Sequence, residues 1–160
     1  MLTRGAGPEV AVLIGLQASG KTTFYRRSLA ATHEHVSKDA FPNARRRQRR
    51  QMRMITDALA AGRDVAVDNT NPAPEEWRPI IEAAHEHGAE VVGYWFPPDL
   101  AGSLERNAAR RGRARTPDVG VYATFKRLRR PRPADGFDRL YAVGFDGTGG
   151  FTVRRDDGDA

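Results

Sequence analysis

The 160-residue chain contains no cysteine. That absence excludes disulfide frameworks, thiolate catalysis and cysteine-built zinc sites. Long hydrophobic runs are also missing, and the longest apolar stretches fall far short of a membrane span. The first seven residues lack the apolar stretch of a signal peptide. A soluble, cytoplasmic protein with no membrane partner is therefore the expectation. Acidic residues are sparse in particular places. Overall, 26 Lys and Arg stand against 20 Asp and Glu, a formal charge of +6. Segment 45–53 holds six arginines, 106–115 five and 126–132 five cations, together 16 of the 26, with no acid inside any of the three. A merely solvated face mixes both signs. These three segments read instead as phosphate-binding surface, and the excess charge implies an anionic partner.

What is present suits one domain: 39% hydrophobic and 29% charged residues in a length able to bury a core. Val10 to Ile14 is a continuous apolar run that reads as a buried parallel strand. A helix is expected from Gly20 to about Ala30, and a short strand at 35–37. Pro42-Asn43 is read as opening a helix to about Ala61, stopped by Gly62. A third strand is expected at 64–67 and a helix from Pro74 to Gly88, with acids in its first turn. A fourth strand spans 90–96. Helices are expected from Leu100 to about Arg111 and at 119–129, and a last strand at 139–143. Strands alternating with helices mean an α/β fold with a parallel sheet. Residues 1–145 are taken as a single domain. Residues 146–160 are taken as a loose Gly- and Asp-rich tail with room for one edge strand at 151–153.

Residues 15–22, Gly-Leu-Gln-Ala-Ser-Gly-Lys-Thr, match G-x-x-x-x-G-K-[ST] between an apolar strand and a helix. Such a loop curls its backbone N–H groups inward at phosphate oxygens and adds the positive end of a helix. Gly15, Gln17, Ala18, Ser19, Gly20, Lys21, Thr22 and Thr23 are the expected nucleotide-binding residues. Lys21, exposed until nucleotide arrives, would reach the β- and γ-phosphates. Thr22 would ligate Mg²⁺ or Mn²⁺, and Thr23 would reach the α-phosphate. Asp39 suits two roles, a general base for an attacking hydroxyl or an N-cap of the next helix. Lys38 beside it would hold a substrate phosphate. Asp68, ending the third strand in Asp-Asn-Thr-Asn-Pro72, suits a carboxylate serving the metal or an Asx turn, or both at once. Trp77, Trp95 and Phe96 read as core. Phe41 suits either core or acceptor channel. The four histidines form no metal set.

At these residues the chain resembles the kinase domain of polynucleotide 5′-kinases, the end-healing enzymes of nucleic acid repair. The matching pieces, in order, are the P-loop, Ser37-Lys38-Asp39, Asp68 to Pro72, the arginines of 106–110, and Tyr122 through Phe137 with Asp135-Gly136-Phe137. The resemblance spans residues 9–145. It implies a P-loop kinase-type parallel sheet flanked by helices, with an arginine-rich helical lid. It also implies transfer of the γ-phosphate of ATP or another NTP to a 5′-OH oligonucleotide or polynucleotide. Asp39 matches the general base. Arg106 and Arg110, four apart and so expected on one helix face, match lid residues that engage the donor, with Arg110 stabilising transition-state charge. Lys21, Asp39 and Arg110 are then the catalytic group. Thr70 and Asn71 would lie near the acceptor phosphate, and Arg46 and Arg49 would line the acceptor groove. Lys38 stands where many members carry Arg, which gives up a bidentate fork. The chain would be a kinase without the phosphatase or ligase domain that members often carry; a homo-oligomer stays open. Two other functions compete: a small-molecule kinase for a sugar acid, nucleoside or antibiotic, and a nucleotide-gated nucleic-acid binder with no need of Asp39.

Overall fold

The computed structural model describes residues 7–42 and 45–156. Strand β1 (Glu9–Ile14) is buried at all six positions because it lies mid-sheet, between β3 (Asp64–Asp68) and β4 (Glu90–Trp95), with helices over both faces. β2 (His33–Val36), β5 (Arg139–Phe145) and β6 (Phe151–Arg155) complete a six-stranded sheet of order β2-β3-β1-β4-β5-β6. All neighbours pair in parallel except β5 and β6, which form an antiparallel hairpin. β6 runs two residues past the edge strand expected at 151–153.

Among the described residues five α-helices flank the sheet: α1 (Lys21–Phe24), α2 (Arg47–Ala60), α3 (Pro74–Glu86), α4 (Leu100–Ala108) and α5 (Asp118–Arg127). One core packs Ile55, Leu59, Trp77 and Ile80 from α2 and α3 against Val10, Val12, Val65 and Val91. The other packs Phe24, Leu29 and Phe151 against Leu13, Tyr94 and Tyr141. α3 starts where Pro74 presets the first turn and Glu75 and Glu76 face the positive helix end.

The second strand starts two residues earlier than the expected 35–37 and ends at Val36, and four expected helix boundaries move. The helix after the P-loop is α-helical for only four residues, then widens into a π-turn over Tyr25–Leu29. α2 starts at Arg47 rather than at 42–43, because Arg46 sits in the left-handed region (φ 57°), which a right-handed helix cannot run through. Asn43, the other expected opener, lies outside the described residues. α4 stops at Ala108 rather than about Arg111. The Asn107 side chain donates to Thr116 O (2.6 Å) and accepts from Thr116 N (3.0 Å), which folds the following loop back on the helix. α5 ends at Arg127, because Leu128 turns extended and Arg129 N donates to Pro72 O (2.8 Å).

Candidate active site at the strand ends

β1, β3 and β2 end side by side, and their exits build the site. After β1 the chain curls through Gly15–Gly20 into α1. Gly15 N donates to Thr70 O (3.0 Å), which ties this loop to the exit of β3. A Cβ on Gly15 would lie 2.8 Å from that of Phe96 and 3.0 Å from Ser19 Oγ. Gly20 has φ 93°, where a side chain is strained, and a Cβ there would also meet the rings of Phe145 and Phe151. Ala18 takes φ 58° without being glycine, a strained residue of the kind that gathers at ligand sites.

Lys21 is not exposed, as the sequence led us to expect, but 8% accessible. Its ammonium donates to Gly15 O (3.0 Å), Leu16 O (2.5 Å) and Ser19 Oγ (3.3 Å), inside the loop it would serve. Burial pushes its pKa down to about 8 against the pull of Asp68; Arg110 lowers it further and Asp39 raises it. Asp68, Arg110 and Asp39 thus share one electrostatic site with Lys21.

Thr22 Oγ1 donates to Asp68 Oδ2 (2.7 Å), and His35 Nε2 meets the same oxygen at 2.8 Å. Burial alone would raise the pKa of Asp68. The bonds from His35 and Thr22, with the charge of Lys21, outweigh it and hold the carboxyl below its ordinary value. A hydroxyl and an ionised carboxylate converging at a strand end are hard oxygen donors that fit Mg²⁺ or Mn²⁺. Among the described residues no group of three or more His, Asp or Glu forms a metal cage.

Asp39 lies in a one-turn 3-10 helix, Lys38–Ala40, after β2. Ser37 Oγ accepts from Asp39 N (3.3 Å) and caps this turn, while α2 begins after Arg46, so Asp39 is not the N-cap of the next helix. The Asp39 side chain is 96% exposed, with Arg47 3.8 Å away. Lys38 N donates to Asn69 Oδ1 (2.9 Å), and Asn69 Nδ2 donates to Gln51 Oε1 (2.7 Å), so β3 and α2 together fix this loop. Lys38 Nζ is 4.0 Å from Glu76, which also accepts from Arg127 (2.9 Å). Arg46 and Arg49 are exposed at the start of α2, and Arg50 lies over the ring of Phe41 at 5.0 Å.

Two expected arrangements change. Asn71 does not reach the cleft: it is 4% accessible, with φ 45°, and donates to Leu13 O (2.7 Å). It locks the β3 exit onto β1, and only the backbone of neighbouring Thr70 is seen in that lock. Arg106 and Arg110 do not share a helix face, because α4 ends between them. Arg106 Nε donates to Ala18 O (2.6 Å) and its guanidinium covers Phe145 at 4.8 Å. Arg110 lies in the following loop and reaches Ala114 O (3.4 Å). Gln17 Nε2 donates to Thr124 Oγ1 (2.9 Å), which brings α5 over the P-loop, and Thr23 is exposed on α1. Beside Ser19, a cavity of about 190 Å³ is lined by Phe96, Ser103, Arg106, Phe145 and Phe151 among others. Ser103 Oγ is buried without a partner.

Sequence reasoning missed His35, Tyr25, Glu76, Ser103 and Phe145. For His35 a signal existed only in the strand register. His35 pairs with Ala66, so Asp68 emerges on the same face two residues further on.

A family profile described as "AAA domain" matches residues 10–132. Among solved structures, a gluconokinase from Sinorhizobium meliloti 1021 is 19% identical, at TM-score 0.63, over 90% of this chain and 85% of that one. A chain of the Pnkp1/Rnl/Hen1 RNA repair complex is also 19% identical, at TM-score 0.66, over 79% of this chain but 45% of the other. Kti12 of Chaetomium thermophilum, solved with ADP-AlF3, is 15% identical at TM-score 0.66, over 86% and 89% of the two chains.

Proposed function

For a chain that belongs to the AAA domain family and has a P-loop kinase-type α/β fold, we propose transfer of the γ-phosphate of ATP or another nucleoside triphosphate to a 5′-hydroxyl end of DNA or RNA. The observation that carries the acceptor class is the exposed cationic start of α2 beside Lys38 and Asp39: Arg45, Arg46, Arg49, Arg50 and Arg53 all face solvent. A strand of phosphates has use for such a row. A sugar acid has none. A small-molecule kinase remains the second reading, and one of the fold neighbours is a gluconokinase.

In this reading the donor's phosphates lie along Gly15–Gly20, and Lys21 leaves its loop carbonyls for them. Thr22 and Asp68 hold Mg²⁺ or Mn²⁺, which when bound neutralises charge on the donor phosphates. Arg106 and Arg110 approach the donor from α4 and the loop after it, and the slot between Arg106, Phe145 and Ser103 takes the base. Asp39 accepts the proton of the attacking hydroxyl as the new P–O bond forms and the nucleoside diphosphate leaves. Lys38, Arg46 and Arg49 hold acceptor phosphates. Thr70 contributes to the acceptor side; Asn71 serves the fold.

One incubation tests this: γ-labelled nucleotide, Mg²⁺, and a panel of 5′-OH oligonucleotides beside sugar acids, nucleosides and aminoglycosides. Label is expected on the oligonucleotides and absent with Lys21→Ala. Label on a small hydroxyl compound alone would move the assignment to the second reading.

A further inference from the structure

Two side chains outside the P-loop motif, His35 and Tyr25, converge behind Asp68. His35 Nε2 lies 2.8 Å from Asp68 Oδ2, the oxygen that Thr22 also bonds. The ring of Tyr25 lies against that of His35, with centroids 4.4 Å apart. Tyr25 OH donates to His33 O (2.6 Å), which anchors the tyrosine to β2. Tyr25 is also the first residue of the π-turn. A π-turn inserts an extra residue per turn and redirects the side chains that follow, and such turns recur at functional sites. With a carboxylate as its partner, Nε2 of His35 carries the proton.

We propose that His35, held by Tyr25, is a positioning residue that fixes the Asp68 carboxylate for the donor's divalent metal. The inference rests on the reading of Thr22 and Asp68 as the metal end of a nucleotide site. Asp68 is 5% accessible, and without His35 its Oδ2 keeps only the Thr22 hydroxyl as an observed neutral donor. That hydroxyl is itself needed by the metal. An imidazole bound to the carboxylate keeps the carboxylate in place while Thr22 turns to the ion. Outer partners of metal-binding carboxylates typically set metal affinity by roughly 10- to 100-fold.

The experiment measures the affinity of a fluorescent ATP analogue at fixed pH, first without divalent metal and then across a Mg²⁺ titration. It compares wild type, His35→Ala and His35→Gln. The glutamine amide can donate from nearly the place of Nε2. We expect His35→Ala to raise the Mg²⁺ concentration at half-effect by about tenfold or more, with metal-free nucleotide affinity and thermal midpoint close to wild type. His35→Gln recovers most of the loss. An unchanged Mg²⁺ titration in His35→Ala overturns the proposal. So does a glutamine variant as defective as the alanine one, or a metal-free affinity that falls as far as the metal-bound one. If wild type itself binds nucleotide with no Mg²⁺ dependence, the reading of Thr22 and Asp68 fails, and this inference with it. If wild type responds to Mg²⁺ and His35→Ala does so identically, the positioning role alone fails.

Discussion

Lys21 is held in electrostatic tension. An ammonium in a nearly closed loop loses its water and is repaid by two carbonyls and a hydroxyl, which stabilise it less than hydration does. Its pKa falls from 10.5 to about 8. Below pH 8 folded and unfolded chains both hold the proton, and the cost of burying the charge is present in full. Between pH 8 and 10.5 only the unfolded chain holds it, so this group makes the fold more stable as pH rises. The fall of about 2.5 pH units corresponds to about 3 kcal/mol. Lys21→Met lacks the titration. The stability of wild type minus that of the variant should therefore rise by about 3 kcal/mol from pH 7 to 10.5, as read by denaturant unfolding. A difference that stays flat with pH would mean that Lys21 is hydrated in the free protein. The motif identified Lys21 in the sequence. Its burial was not legible, because the carbonyls of residues 15 and 16 turn inward only once Gly15 is tied to Thr70 across the sheet.

At the scale of elements, β1, β3 and β4 were legible because a buried parallel strand leaves a continuous apolar run. α3 was legible because Pro74, its first-turn acids and Gly88 mark both ends. Elements set by distant partners were not. α4 ends where Asn107 takes hold of Thr116, and nothing local to residues 106–111 announces that hold. The start of α2 misled because Pro42 is a plausible opener, whereas Arg46 takes a left-handed turn before the helix begins. That turn leads into Arg47, whose guanidinium lies 3.8 Å from Asp39, and Arg46 and Arg49 on either side of it are exposed. In the nucleic-acid reading, charge reversal as Arg46→Glu with Arg49→Glu weakens binding of a 5′-OH oligonucleotide. It also flattens the salt dependence, by about 0.7 in log–log slope for each phosphate of the single strand that the protein no longer neutralises. Nucleotide affinity stays near wild type. Salt titrations of both ligands check this, and an oligonucleotide affinity untouched by the reversal would favour a small acceptor.

At the scale of the whole molecule, the site depends on the chain's far end folding back on its beginning. Residues past Phe145 read as a loose tail with room for an edge strand at 151–153, because glycine and aspartate dominate there. The structure closes 146–155 into a hairpin. Asp146 Oδ1 accepts from Thr148 N (2.7 Å) and Gly150 N (3.0 Å), and those bonds hold its carboxyl below the usual range. Arg27 of the π-turn donates to Gly149 O. Phe151 then packs edge-on against Phe24 at 5.5 Å and stacks with Phe145 at 5.5 Å, and both hairpin rings close over Gly20. The sequence offers the edge strand but not its packing, since the partners Phe24 and Arg27 belong to the other end of the chain. Phe151 is only partly buried, so Phe151→Ala should cost about 2 kcal/mol, below the roughly 3–5 typical of a fully buried ring. The loss should also reach the donor site. With Phe151 gone, Phe145 loses its stacking partner, and the Arg106–Phe145 wall beside Ser19 loosens. Nucleotide affinity should therefore fall several-fold even at temperatures where the variant is fully folded. Calorimetric titration with ATP beside thermal unfolding separates the two effects. A variant that melts earlier but binds ATP as tightly as wild type would make the hairpin an edge strand only, with no share in the donor site.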